Sequence, residues 1–228
     1  MSTQPNFLTI ENAERAIVVP LSAMCAPYNQ LEVQFTGSSY SFETGEVRWI
    51  CCLQPHPDHR PLTPPTIPII WELEGVISPL ECFVTALGRD TFFDDINPEQ
   101  EVVSFWLVAR RRGDYISRLY WDQVLPAVQA IARSIPSSEV DLSEVIHQSP
   151  EDASVRLQLT WQPPHGESIE SALPFYNKTG RRIVPASILD VPCDAVRVAF
   201  TVDYLYKYVG AAARPRTLQA VLQNVSVL

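Results

Sequence analysis

Glycine and lysine are both scarce in this chain: 8 glycines stand against 20 prolines, and of 17 basic residues only Lys178 and Lys207 are lysines. Phosphate-cradling loops and dinucleotide turns need closely spaced glycines, and neither a Gly-x-x-x-x-Gly-Lys loop nor a Gly-x-Gly-x-x-Gly turn occurs. A Gly-x-Ser-x-Gly nucleophile elbow is missing as well. Kinase, dehydrogenase and serine-hydrolase chemistry therefore lack support. No apolar run approaches the ~20 residues that a membrane helix requires. Met1 to Asn6 have neither the basic start nor the apolar stretch of a secretory signal. These absences lead to the expectation of an intracellular protein with no membrane partner. A basic N-terminal arm is absent too, so nucleic acid is not expected as a partner held through a tail.

The cysteines Cys25, Cys51, Cys52, Cys82 and Cys193 are odd in number and widely spaced, which reads as buried free thiols rather than a disulfide framework. Charge is unevenly placed. The net charge is -9, yet residues 1–155 hold 9 basic and 21 acidic side chains while residues 156–228 hold 8 basic and 5 acidic. Opposed charge of this kind can orient a partner or complement a second copy of the chain.

What the chain has in quantity is β-pattern punctuated by proline, which ends helices and central strands alike. Alternation predicts strands at 16–20, 30–35, 46–53, 67–73, 80–87, 102–109, 154–161 and 181–184. The clearest is 196–208, in which Val196, Val198, Phe200, Val202, Tyr204, Tyr206 and Tyr208 share one face and Arg197, Thr201, Asp203 and Lys207 the other. The first face is expected in the core as far as Val202, the second in water. One amphipathic helix is expected at about 118–135, where Leu119, Trp121, Val124, Leu125, Val128, Ile131, Ala132 and Ile135 recur at three and four; Pro126 either kinks it or falls in its first turn if the helix begins near 121–123. A short helix at 138–146 and a terminal strand antiparallel to 196–208 complete the reading. The expected architecture is a single mainly β domain over 1–228, a two-sheet antiparallel sandwich with jelly-roll connections as one option.

Several residue groups carry possible chemistry. His56-x-Asp58 with His147 or His165 has the composition of a facial two-histidine, one-carboxylate iron site, which jelly-roll oxygenases use. Against it, the pair lies between prolines in a polar turn. Cys51 and Cys52 with His56 and His59 supply zinc-ligand types, but adjacent strand residues point to opposite faces. Arg110, Arg111 and Arg112 form a guanidinium cluster suited to phosphate or carboxylate, or to a solvated turn. Tyr204, Tyr206 and Tyr208 suit an interface that is apolar with a wet edge. Asn177-Lys-Thr179 matches the glycosylation acceptor pattern, which carries nothing inside a cell.

No catalytic residue and no cofactor is expected. The function these features favour is a non-enzymatic interaction protein, a self-associating shell- or coat-like subunit whose partner is itself, with Tyr204, Tyr206, Tyr208 and Arg110 to Arg112 at the contact. Two alternatives remain: the iron-dependent oxygenase, and an intracellular carbohydrate-binding module stacking sugars on Trp49, Trp71, Trp106 or the terminal tyrosines.

Overall fold

A computed structural model describes residues 16–25, 31–41, 46–53, 67–83, 103–109, 121–135, 140–150, 154–162, 173–183, 195–209, 212–213 and 216–228. In chain order these form β1 (Ile17–Pro20), a 3-10 turn (Leu21–Cys25), β2 (Val33–Ser41), β3 (Glu46–Leu53), β4 (Ile67–Phe83), β5 (Val103–Val108) and α1 (Val124–Arg133). There follow β6 (Val140–Asp141), β7 (Ile146–Gln148), β8 (Val155–Trp161), β9 (Phe175–Tyr176), β10 (Ala195–Val209), β11 (Ala212–Ala213) and β12 (Arg216–Val227). The chain is mainly β with one α-helix among the described residues, and its strands join in one large mixed sheet rather than separating into two.

The pairings close on themselves. β4 pairs antiparallel with β5, β5 with β8, β12 with β10 and β10 with β4, while β8 meets β12 in parallel at Thr160 and Val221. β10 occupies one edge of β12 along its length, so β6, β8 and β9 follow one another along the opposite edge. β2 and β3 extend the sheet from the C-terminal half of β10, and β1 adds to β4 in parallel. The side chains turned into this ring are apolar and fully buried: Trp71, Phe105, Leu107, Leu157, Leu159, Phe175, Val198, Phe200, Leu218 and Leu222. They come from alternate positions of each strand, as the two-residue period of a strand requires.

Two details explain how one strand serves both halves of the ring. The alternation predicts separate strands at 67–73 and 80–87, but β4 runs unbroken through 17 residues and carries both Pro68 and Pro79. Pro79 falls where the register with β5 slips, between Ile77 and Cys82, so its missing N–H removes no regular ladder bond. Gly75 lies where β4 passes from β10 to β5. A Cβ there would stand 2.7 Å from the Val108 carbonyl oxygen and 2.9 Å from the Leu107 and Trp121 side chains. Only glycine permits that approach.

Helix α1 is shorter than the expected 118–135. It buries Val124, Ala127, Val128 and Ile131, the three-and-four spacing of an amphipathic face. Pro126 lies in the first turn, where its absent donor would have had no intrahelical partner. Ser134 closes the helix, its N–H and hydroxyl both donating to the Ile131 carbonyl. The expected helix at 138–146 is instead β6, a turn and β7, since the Asp141 carboxylate accepts the Ser143 N–H at 2.9 Å and holds a local turn. The expected strand at 181–184 is reduced to one bridge, Tyr176 with Arg182. β12 forms the expected antiparallel pair with β10. No described helix is long and apolar enough to cross a membrane.

Candidate functional site

The outer face of β5 and β8 departs from ordinary sheet chemistry. Inward positions Phe105, Leu107, Leu157 and Leu159 are buried, which sends Ser104, Trp106, Arg156, Gln158 and Thr160 to the outer face, where Ser104 and Gln158 are covered and Trp106, Arg156 and Thr160 are partly exposed. Trp106 sits directly opposite Gln158, Val108 opposite Arg156, and Ser104 opposite Thr160. β7 continues the face on the other side of β8, where His147 pairs with Arg156. The indole of Trp106 and the imidazole of His147 meet edge to face, ring centres 6.0 Å apart and planes at 68°. Trp106 is half-buried and His147 exposed.

Trp106 differs from the other four tryptophans. Trp71, Trp121 and Trp161 belong to the buried core and Trp49 packs against it, whereas Trp106 stands outside that cluster. Trp121 even satisfies its indole N–H internally, donating to the Glu74 carbonyl at 2.8 Å. A large ring placed outward beside an imidazole and a guanidinium offers a stacking surface with hydrogen-bond donors at its margin. Among the described residues no group of His, Cys, Asp and Glu converges as a metal site would require.

The second region of interest lies where β10 meets β3. Tyr204 is buried rather than presented to a partner: its ring stacks on Trp49 with centres 6.1 Å apart and meets the edge of Phe35 at 5.8 Å. Its expected role at an interface is corrected by that packing. β10 carries the backbones of Tyr206 and Tyr208, but their side chains lie outside the described residues. So do Arg110, Arg111 and Arg112, and His56, Asp58, His59, His165 and Cys193. Of the expected metal ligands only His147 is described, and it serves the Trp106 face.

The polar face of β10 also differs from expectation. Arg197 is exposed and paired with Glu74 at 2.7 Å, but Thr201 and Asp203 are buried. Asp203 Oδ2 lies 3.6 Å from Arg48 Nε, and its Oδ1 has no hydrogen-bond partner among the described residues. Burial pushes this carboxyl up to about 6 against the opposing pull of the Arg48 charge and the Thr201 hydroxyl. Cys51 and Cys52 are buried free thiols, as expected, and burial raises both. Neither is a thiolate nucleophile.

No family model matches the chain, and no curated protein matches it. Among solved structures it is similar to the crystal structure of gp2.5, a single-stranded DNA binding protein encoded by bacteriophage T7, with 14% identity and a TM-score of 0.35 over 70% of this chain and 91% of that one. The expected partner is a second copy of this chain, with nucleic acid not expected through a basic tail; against that expectation stands this neighbour, itself a single-stranded DNA binding protein.

Proposed function

We propose that this protein binds single-stranded nucleic acid on the outer face of β5, β8 and β7, with Trp106 stacking a base. The observation that carries the reading is the outward placement of Trp106 against His147, in a chain whose other tryptophans pack in or on the core. In chain order β5 and β8 are the second and third strands of the closed five-strand ring. In Greek-key barrels of this order, that face takes oligonucleotides and oligosaccharides. Stacking on an aromatic ring contributes ~1–3 kcal/mol per base and tolerates any base, because every base has a π face. Arg156 and His147 supply a guanidinium and an imidazole beside the ring. Those groups suit phosphate and base edges.

The net charge of -9 does not forbid this. At physiological salt charges farther than about 8 Å from the bound strand are largely screened. A sugar could stack on the same ring, so the test separates the two. Intrinsic tryptophan fluorescence is titrated with a deoxythymidine oligonucleotide and, in parallel, with neutral oligosaccharides at low salt. Quenching by the oligonucleotide, lost in Trp106→Ala and weakened by rising salt, is the expected result. Quenching by the sugars alone, or oligonucleotide binding unchanged in Trp106→Ala, overturns the reading.

A further inference from the structure

Three of the eight basic residues of 156–228 stand together at a place that the Trp106 face does not use. Lys178, Arg181 and Arg182 lie on the turn after β9, and all three are exposed. The turn is rigid. Asn177 Oδ1 accepts hydrogen bonds from the Thr179 N–H at 3.0 Å, the Thr179 hydroxyl at 2.8 Å and the Arg181 N–H at 3.0 Å. The Asn177 N–H donates to the Arg181 carbonyl at 2.8 Å, and Gly180 supplies the left-handed residue at φ 75°. Tyr176 bridges Arg182 across the base, and Ile183 N–H donates to the Phe175 carbonyl at 2.8 Å. The side chain of the Asn-Lys-Thr pattern is thereby spent on holding a loop that displays three cations in five residues.

Its position follows from the register. Along one edge of β12, β8 pairs at Val221 and β9 at Val225 and Ser226, so β9 succeeds β8 four residues farther on. Trp106 is level with Gln158, two residues before Thr160 on β8. At ~3.3 Å per strand residue the base of the turn lies about 20 Å along the sheet from Trp106. Between them the outer face of β8 carries the partly exposed Thr160. A single strand with one base on Trp106 and running along β8 meets the turn within the ~4–16 nucleotides that such a barrel covers.

We infer that the Asn177–Arg182 turn is a second, phosphate-holding site, through which Lys178, Arg181 and Arg182 grip the backbone of a polyanionic strand leaving the Trp106 face. The site rests on the binding proposed above for its nucleic-acid ligand, but its own chemistry needs only phosphate. It reads no base. Arg presents paired donors to phosphate oxygens, and a turn fixed by its own hydrogen bonds loses little freedom on binding.

The test uses the full chain with Lys178, Arg181 and Arg182 all changed to Ala, leaving Asn177 and Gly180 intact; circular dichroism checks the fold. Two ligands are titrated across a salt series: a deoxythymidine 20-mer and inorganic polyphosphate. For the 20-mer, affinity is expected to fall about tenfold or more at low salt and the log–log salt slope to shrink by about 2, near 0.7 per lost contact. Trp106 quenching by a deoxythymidine trimer should persist. For polyphosphate, the wild type and Trp106→Ala should bind alike and the triple variant should not. Unchanged slopes for both ligands in the triple variant overturn the turn as a phosphate site while leaving the stacking face standing. Polyphosphate binding lost in the triple variant, with no oligonucleotide binding by the wild type, keeps the turn and removes the stacking face.

Discussion

Two outer surfaces of the same sheet have exchanged the chemistry that each would ordinarily carry. On β10 the outward residues Thr201 and Asp203 are polar and buried, as Ser104 is on β5, but β5 also sends outward the aromatic Trp106, which is only partly buried. Scattered surface apolar residues and paired buried polar ones need no special account, but a buried carboxylate with an unpartnered oxygen and a lone outward tryptophan do. The difference separates two jobs. The β10–β3 seam spends its unusual residues on joining β2 and β3 to the ring, and the β5–β8 face sets an aromatic ring outward against His147.

The sharpest way to break that division is to remove an aromatic ring from each surface in turn. Tyr204→Ala opens a cavity between Trp49 and Phe35 and is expected to cost about 4 kcal/mol of stability, measured by urea denaturation, with Trp106 quenching by oligonucleotide retained under native conditions. A stable Tyr204→Ala protein that no longer binds would place the ligand at the seam instead. Gly75→Ala strikes the strand that both regions share. Its new Cβ meets the Val108 carbonyl oxygen at 2.7 Å, so a loss of about 3 kcal/mol is expected on the same measurement. A neutral substitution would show that β4 bends freely there.

Trp106→Ala is the counterpart on the open face. Stability should change little, since the ring stands outside the core, while oligonucleotide affinity should fall by about 2 kcal/mol, roughly thirtyfold in Kd. A large stability loss with binding intact would make Trp106 a packing residue and erase the contrast with Tyr204.

How far the two surfaces were legible beforehand follows from what alternation can and cannot say. It identifies the inward residues of β10 from Val196 to Val202 and the pairing of β10 with β12, because a two-residue period is local. Whether an outward residue then meets water depends on what covers it, which is a tertiary fact. Thr201 and Asp203 therefore read as solvated and are not. Trp106 reads as one of several core or stacking tryptophans, and His147 as a distant metal ligand; only the register of β5, β8 and β7 brings them to one spot. The ring itself was hidden for the same reason. A sandwich and a closed barrel are written with the same short strands, and the one parallel contact at Thr160 and Val221 leaves no mark in the pattern.

The smallest expected effect isolates the buried side of the comparison through pH. Asp203 ionises less readily in the folded protein, at about 6, than an ordinary carboxyl does when the chain unfolds, near 4. Between those values the folded state holds a proton that the unfolded state has released, so stability rises as pH falls from 7 through 6. Above 6 the folded protein carries a buried negative charge opposed by Arg48 at 3.6 Å and by the Thr201 hydroxyl; Arg197 on the same strand is engaged with Glu74, and the nearby Cys51 and Cys52 thiols stay neutral. Other carboxylates titrate in the same window, so the informative quantity is the difference between the wild type and Asp203→Asn. Urea midpoints at pH 7 and pH 5 should show the wild type gaining on the order of 1 kcal/mol relative to the variant on acidification. Equal pH dependence in the two proteins would mean that Asp203 is solvated after all, and that the seam has the wet outer face its alternation first suggested.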